Sequence, residues 1–186
     1  MPSLAEIEAD ARTCVACPLA ASRTNVVFSA GNPASGLMFV GEAPGHDEDL
    51  QGEPFVGRSG KLLDRLIAEE LGRDRSSYYI CNVVKCRPPG NRDPAPAEVE
   101  ACRHYLEAQV AAVAPRVIVT LGNFAARTLL DTTDTVTRLR GRSYPYGTTV
   151  IVPTFHPSYA LRGSAAIVAE MRADLVRAKR FLLVTS

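Results

Sequence analysis

Four mostly apolar runs punctuate the chain, at residues 37–40, 78–84, 116–121 and 149–153. They are rich in Val and Ile and lack a regular polar face, a pattern typical of parallel strands buried on both sides. Between them the apolar spacing changes to threes and fours. Leu62, Leu63, Leu66, Ile67 and Leu71 trace one helical stripe that stops at Gly72. Val99, Cys102, Leu106, Val110 and Val113 trace a second, which opens after Pro94 and Pro96 and closes before Pro115. Asn123 is placed to cap a short helix through Leu130. Val168, Met171, Leu175, Ala178 and Leu182 form an amphipathic C-terminal stripe. Alternation of strand and helix predicts an α/β fold, a three-layer α/β/α sandwich around a mostly parallel four-stranded sheet. Residues 132–147, where Arg138, Arg140 and Arg142 alternate with other residues, read as a loop holding a short antiparallel strand. No repeat, low-complexity tract or linker interrupts 1–186, so a single domain is expected.

At 186 residues the chain can bury a substantial core. Its net charge of +1 excludes attachment to nucleic acid by bulk charge, so any such contact must come from local Arg and Lys clusters. No apolar stretch approaches the roughly 20 residues needed to cross a bilayer, and the first residues carry acids rather than a basic-then-apolar leader. A cytoplasmic, monomeric protein with no membrane contact is expected. Five cysteines in that setting call for something other than disulfides.

The chemistry-bearing residues follow the strands. Residues 41–60 (GEAPGHDEDLQGEPFVGRSG) hold five acids, seven Gly or Pro and one aromatic, Phe55. Backbone this permissive is expected where main chain turns sharply or approaches a ligand, and the carboxyl end of an interior strand is where open α/β sheets bind ligands. The second strand runs into NVVKCRPPGNR at 82–92. There the Asn82 amide suits the edge of a base, and Lys85, Arg87 and Arg92 offer cations to phosphate. The fourth runs into HPSYALR at 156–162, where Pro157 restricts the backbone of His156. GRSGK at 57–61 lacks the earlier glycine of a phosphate loop, and Gly41, Pro44 and Gly45 do not complete a dinucleotide fingerprint.

Cys14 and Cys17 form a C-x2-C pair, and Cys102 lies on the inward stripe of its helix, while Cys86 follows the second strand. Four thiolates so gathered would hold zinc or an iron–sulfur cluster, and the dispersion of Cys86 and Cys102 tilts the reading towards [4Fe–4S]. Cys81, within a strand, is taken as structural.

The segments GEAPG-x-x-ED at 41–49, GxPFVGRSG at 52–60, NVVKCRPPGNR and HPSYALR, in this order, resemble the family 4 uracil-DNA glycosylases. The resemblance spans nearly the whole chain. It implies hydrolysis of the N-glycosidic bond of flipped-out uracil in DNA, initiating base-excision repair, and [4Fe–4S] ligation by Cys14, Cys17, Cys86 and Cys102. It further implies that Phe55 stacks on the base, that Asn82 pairs with the O4 and N3 edge, and that His156 donates to O2. Glu42 or Glu48 would stabilise the sugar cation or orient water; Glu42 is the stronger candidate, and Glu48 is expected near C5, against a thymine methyl. Asn91 would support substrate or water, Gly41 belongs with the substrate-binding residues, and Arg162 with Leu161 resembles a minor-groove insertion loop. Ser158, with the backbone at Ser59 and Gly60, would hold phosphates. Ala43 stands where family 1 enzymes carry a water-activating Asp, which leaves the general base open. Two rivals stay in play: an iron–sulfur protein that binds uracil or abasic DNA without efficient turnover, and a zinc-stabilised α/β protein with another ligand.

Overall fold

The computed structural model describes residues 2–183. All four expected strands form: Leu37–Gly41 (β2), Tyr79–Asn82 (β3), Val117–Leu121 (β4) and Thr149–Thr154 (β6). They make the parallel centre of a sheet that two short antiparallel strands extend, Ala30–Gly31 (β1) and Tyr144–Tyr146 (β5), in the order β1-β3-β2-β4-β6-β5. Strand alternation sends Leu37 and Phe39 into one core with Ile80, Val119 and Val152. Met38 and Val40 enter the other with Cys81, Ile118 and Ile151. Arg58–Leu71 (α4) and Ala165–Leu183 (α9) cover the first face; Leu4–Thr13 (α1), Pro96–Val113 (α5) and Asn123–Leu130 (α6) cover the second. This is the expected α/β/α sandwich, with six strands rather than four. Among the described residues no helix is long and apolar enough to cross a membrane.

Gly72 ends α4 in the left-handed conformation, φ 63°, which only glycine adopts without a Cβ penalty. On α5 the fully buried positions are Glu98, Tyr105, Leu106 and Gln109, so the apolar stripe captured only Leu106 of them. The others bury because they find partners. The Gln109 amide donates to the Phe28 carbonyl (3.1 Å) and the Tyr79 hydroxyl (3.0 Å), and Glu98 accepts from Ala95 N (2.8 Å) and takes both Arg92 Nη atoms (2.9 and 2.8 Å). Asn123 is the first residue of α6 rather than its cap; the cap position belongs to Gly122. The Asn123 Oδ1 instead accepts from Val136 N at 2.7 Å and ties α6 to a short helix, Val136–Leu139 (α7).

Segment 132–147 thus carries α7 as well as the antiparallel β5, and Arg140 turns inward. The carboxylate of Asp174, buried on α9, accepts from Arg140 Nε (3.0 Å) and Nη2 (3.1 Å), from Gly141 N (3.3 Å) and from the Thr154 hydroxyl (2.9 Å). Thr154 ends β6, so this network fixes the point at which the chain enters 155–162. Removing one partner of a buried pair leaves the other uncompensated. Asp174→Ala is expected to cost about 3 kcal/mol, read as a lower urea midpoint at unchanged slope.

Candidate functional site

A cavity of about 660 Å³ opens at the carboxyl ends of β2, β3, β4 and β6. Glu42, Glu48, Phe55, Asn82, Asn91, His156, Ser158 and Arg162 all line it, although they come from three separate stretches of chain. Gly41 lies directly behind this lining. The parallel register sets Gly41 opposite Asn82. A Cβ on Gly41 would fall 2.4 Å from the Phe55 ring and 2.5 Å from Asn82 Oδ1, so the aromatic ring and the amide fit together only because that carbon is missing.

Phe55 has left-handed backbone, φ 56°, strained for a residue with a side chain, and its neighbours hold it there. Glu48 Oε1 accepts from Val56 N and Gly57 N, both at 3.1 Å. Arg75 donates to the Pro54 carbonyl and pairs with Asp64 at 3.2 Å. Gly60, expected near phosphate, is buried beneath this turn, where a Cβ would fall 1.9 Å from the Phe55 carbonyl oxygen. Glu48 therefore borders the cavity with one carboxylate oxygen already engaged in shaping the loop. Asn82 also lines the cavity; it is buried, and its Oδ1 has no hydrogen-bond partner.

His156 packs its ring 5.7 Å from that of Phe55. Its Nδ1 accepts from Ser158 N at 3.1 Å and lies 2.8 Å from Ser158 Oγ. The ring proton therefore sits on Nε2, which becomes the donor. Desolvation pushes the imidazole pKa down to about 4, and the Arg162 charge adds to that, so the ring is neutral at pH 7. The Ser158 hydroxyl, expected on a phosphate, is instead engaged with this ring. Gly122, φ 89°, makes the room: a Cβ there would lie 3.0 Å from His156 Cβ. Glu42 is shifted the opposite way. Burial, together with the nearby Asp93 charge, raises its carboxyl to about 7.

Asn91, φ 56°, accepts on Oδ1 from Arg87 Nε at 2.6 Å, which leaves its amide N–H₂ for the cavity. Arg162 ends the helix Pro157–Arg162 (α8), exposed beside an exposed Leu161. Arg87 and Arg92 remain accessible, but Lys85 does not. It is buried, its amine donates to the Asn82 carbonyl at 2.5 Å, and it is out of reach of any phosphate. Asp93, Asn123 and residues 135–137 also line the cavity and were not anticipated. Asp93 adjoins the NVVKCRPPGNR stretch, and Gly122–Asn123 follows a strand end like the other three loops, the one signal that pointed to them.

Cys14, Cys17, Cys86 and Cys102 line a second, small pocket of about 20 Å³ together with Ala11, Ala16, Ala20, Ala101 and Tyr105. Arg23 reaches in, donating to Cys86 Sγ at 3.5 Å and to the Cys14 carbonyl at 2.7 Å. Burial raises the Cys102 thiol to about 11. Among the described residues no three His, Cys, Asp or Glu side chains close around a point as a single metal ion requires. Four thiols gathered in one pocket, with small side chains between and a cation at its edge, are a donor set for zinc or an iron–sulfur cluster. Cys81 is buried within β3, away from this pocket, as expected of a structural cysteine.

Residues 28–178 match the family model of the uracil DNA glycosylase superfamily. The type-4 uracil-DNA glycosylase of Thermotoga maritima is 47% identical over 92% of this chain and 90% of its own length. Those of Archaeoglobus fulgidus and Sulfurisphaera tokodaii are 46% and 43% identical, each over 87% of this chain and over 84% and 77% of their own lengths.

The opposed shifts can be measured directly. In carboxyl and imidazole NMR titrations, the Glu42 carboxyl is expected to titrate near 7. His156 is expected to remain a neutral Nε2–H tautomer from neutral pH down to about 5, protonating only near 4. An imidazolium signal for His156 at pH 6 would contradict the assignment.

Proposed function

The chain belongs to the type-4 uracil-DNA glycosylases, and we propose that it hydrolyses the N-glycosidic bond of uracil rotated out of DNA into the cavity between Phe55, Asn82 and His156. The observation that carries this reading is Asn82, a buried amide with an unpartnered Oδ1, on the lining of a cavity shared with an aromatic ring and a neutral imidazole donor. Uracil offers N3–H to Asn82 Oδ1 and O4 to Nδ2; cytosine offers the opposite pattern. Phe55 covers the ring face, as aromatic side chains do for bases. Glu48, beside the same ring, leaves little room for a methyl at C5.

Bond cleavage places negative charge on the departing uracil, chiefly at O2, and positive charge on the sugar. A neutral His156 with its proton on Nε2 donates to O2 without needing to lose charge first. Glu42, carrying the carboxylate, steadies the sugar cation or takes a proton from the attacking water, and the Asn91 amide positions that water. Arg162, with Leu161, enters the space the nucleotide vacates. Cys14, Cys17, Cys86 and Cys102 hold a [4Fe–4S] cluster, which serves as a covalent tie between the N-terminal segment, the loop after β3 and α5, since hydrolysis needs no electron transfer. The enzyme acts as a cytoplasmic monomer of one domain.

The test is incubation with a uracil-containing oligonucleotide followed by alkali, against a thymine control. Multiple turnovers support the reading, whereas retention or an adduct without turnover overturns hydrolysis. His156→Ala is expected to lower kcat by about 10²–10³ with the fold intact. Because Glu42 acts as the carboxylate, kcat/KM should rise about tenfold per pH unit below its pKa and level off above about 7. Glu42→Gln should remove that limb, and a limb that survives it excludes Glu42.

The cysteine centre has its own readout. The purified protein is expected to show the broad visible absorption of an iron–sulfur cluster. Cys102→Ala should lose both the band and thermal stability; a colourless protein with stoichiometric zinc would overturn the assignment.

A further inference from the structure

Lys85 joins the two pockets. It lines the cysteine pocket, and its amine donates at 2.5 Å to the main-chain carbonyl of Asn82, whose side chain faces the other cavity. It is one of the largest fully buried side chains in the protein. Burying an amine is costly unless it is both hydrogen-bonded and balanced by charge. No carboxylate pairs with it among the described residues, and its other neighbours are the Phe28 ring, 6.0 Å from Nζ, and sulfur. Burial pushes the Cys81 thiol up while the Lys85 amine pulls it back, and the same opposition acts at Cys102.

The position of that carbonyl matters. Asn82 is the last residue of β3, and beyond it the chain leaves the ladder: Val83 N and Val84 N turn to the carbonyls of Gly41 and Glu42. A buried carbonyl at a strand end needs a donor. Lys85 supplies one from three residues on, closing the turn that aims the Asn82 amide. We propose that Lys85 is a positioning residue for base selection. Its amine, hydrogen-bonded to the Asn82 carbonyl, locks the Asn82 main chain so that the side-chain amide meets the uracil edge in one orientation. Selectivity for uracil over cytosine is then set in part from the cysteine side of the sheet.

This rests on the reading that Asn82 grips uracil, and the test separates the two. Affinities are measured for oligonucleotides carrying one 2′-fluoro-deoxyuridine or one 2′-fluoro-deoxycytidine, neither of which is readily cleaved, with iron content recorded for each protein. The wild type is expected to prefer the uridine oligonucleotide. Lys85→Met should reduce that preference about tenfold, the worth of one well-placed hydrogen bond, while affinity for the cytidine oligonucleotide and iron content stay unchanged. Lys85→Gln keeps an N–H on a shorter stem and should lose only about threefold, so it carries the test should the methionine variant not fold. In an Asn82→Ala background neither substitution should change the preference further. An intact preference in the Lys85 variants overturns the proposal alone. Equal weakening for both oligonucleotides, or an added loss in the Asn82→Ala background, overturns it in favour of a purely structural lysine. A wild type with no preference overturns the reading beneath it, and the proposal falls with it.

Discussion

Everything at the ligand-facing end of the sheet depends on a single contact, the parallel pairing that sets Gly41 across from Asn82. One strand contributes an absent side chain and its neighbour contributes an amide, and into the space between them goes the edge of Phe55. The register cannot slip by one residue without turning Asn82 to the other face, because successive side chains on a strand alternate. The pairing is therefore a recognition element as well as a ladder. It also explains the density of bracing around Phe55. A residue held at φ 56° needs its surroundings to over-determine it, and Glu48, Arg75 and Gly60 each fix a different point of that loop.

The same desolvation acts in opposite senses on the two groups best placed for chemistry. It lowers the imidazole of His156 to about 4 and raises the carboxyl of Glu42 to about 7. A dry cavity favours neutral forms of both. For the histidine it leaves a neutral ring whose tautomer is fixed by Ser158, with Nε2–H as the donor. For Glu42 it brings the titration of the carboxyl close to neutral pH. The two shifts have one origin, so a change that wets the cavity would move both groups back towards their ordinary values.

Much of this was legible in the chain. Apolar runs located the four central strands because buried parallel strands leave no polar face to disguise them, and the loops after three of them held Phe55, Asn82 and His156. What the sequence could not convey is what each polar side chain bonds to. Lys85 reads as a phosphate contact until its amine is found beneath Asn82, and Ser158 reads the same way until its hydroxyl is found on the imidazole. Gln109 and Glu98 break the apolar stripe of α5 and are nonetheless buried, since each has partners supplied by residues distant in sequence or by the start of its own helix. Gly122 escaped notice because its value lies in what its missing carbon permits for His156, thirty-four residues on. Spacing reports which face a residue occupies; partners come from tertiary structure.

The cysteine pocket and the ligand cavity lie on opposite sides of a short span of chain, and hydrogen bonds cross that span twice. Arg23, which touches Cys86 and the Cys14 carbonyl, is followed immediately by Thr24 and Asn25, whose N–H groups donate to Asp49 at 2.8 and 3.1 Å. Asp49 adjoins Glu48 on the short helix His46–Gln51, and Glu48 holds the turn that carries Phe55. On the other side, Lys85 precedes Cys86 and holds Asn82. The two residues that would grip a base from face and edge are thus both linked to the cysteines of the second pocket, Asn82 through Lys85 alone and Phe55 through Arg23, Asp49 and Glu48 in turn. The cysteine pocket itself gathers three remote segments, the N-terminal stretch, the loop after β3 and α5, so any group held there would brace those segments from a distance.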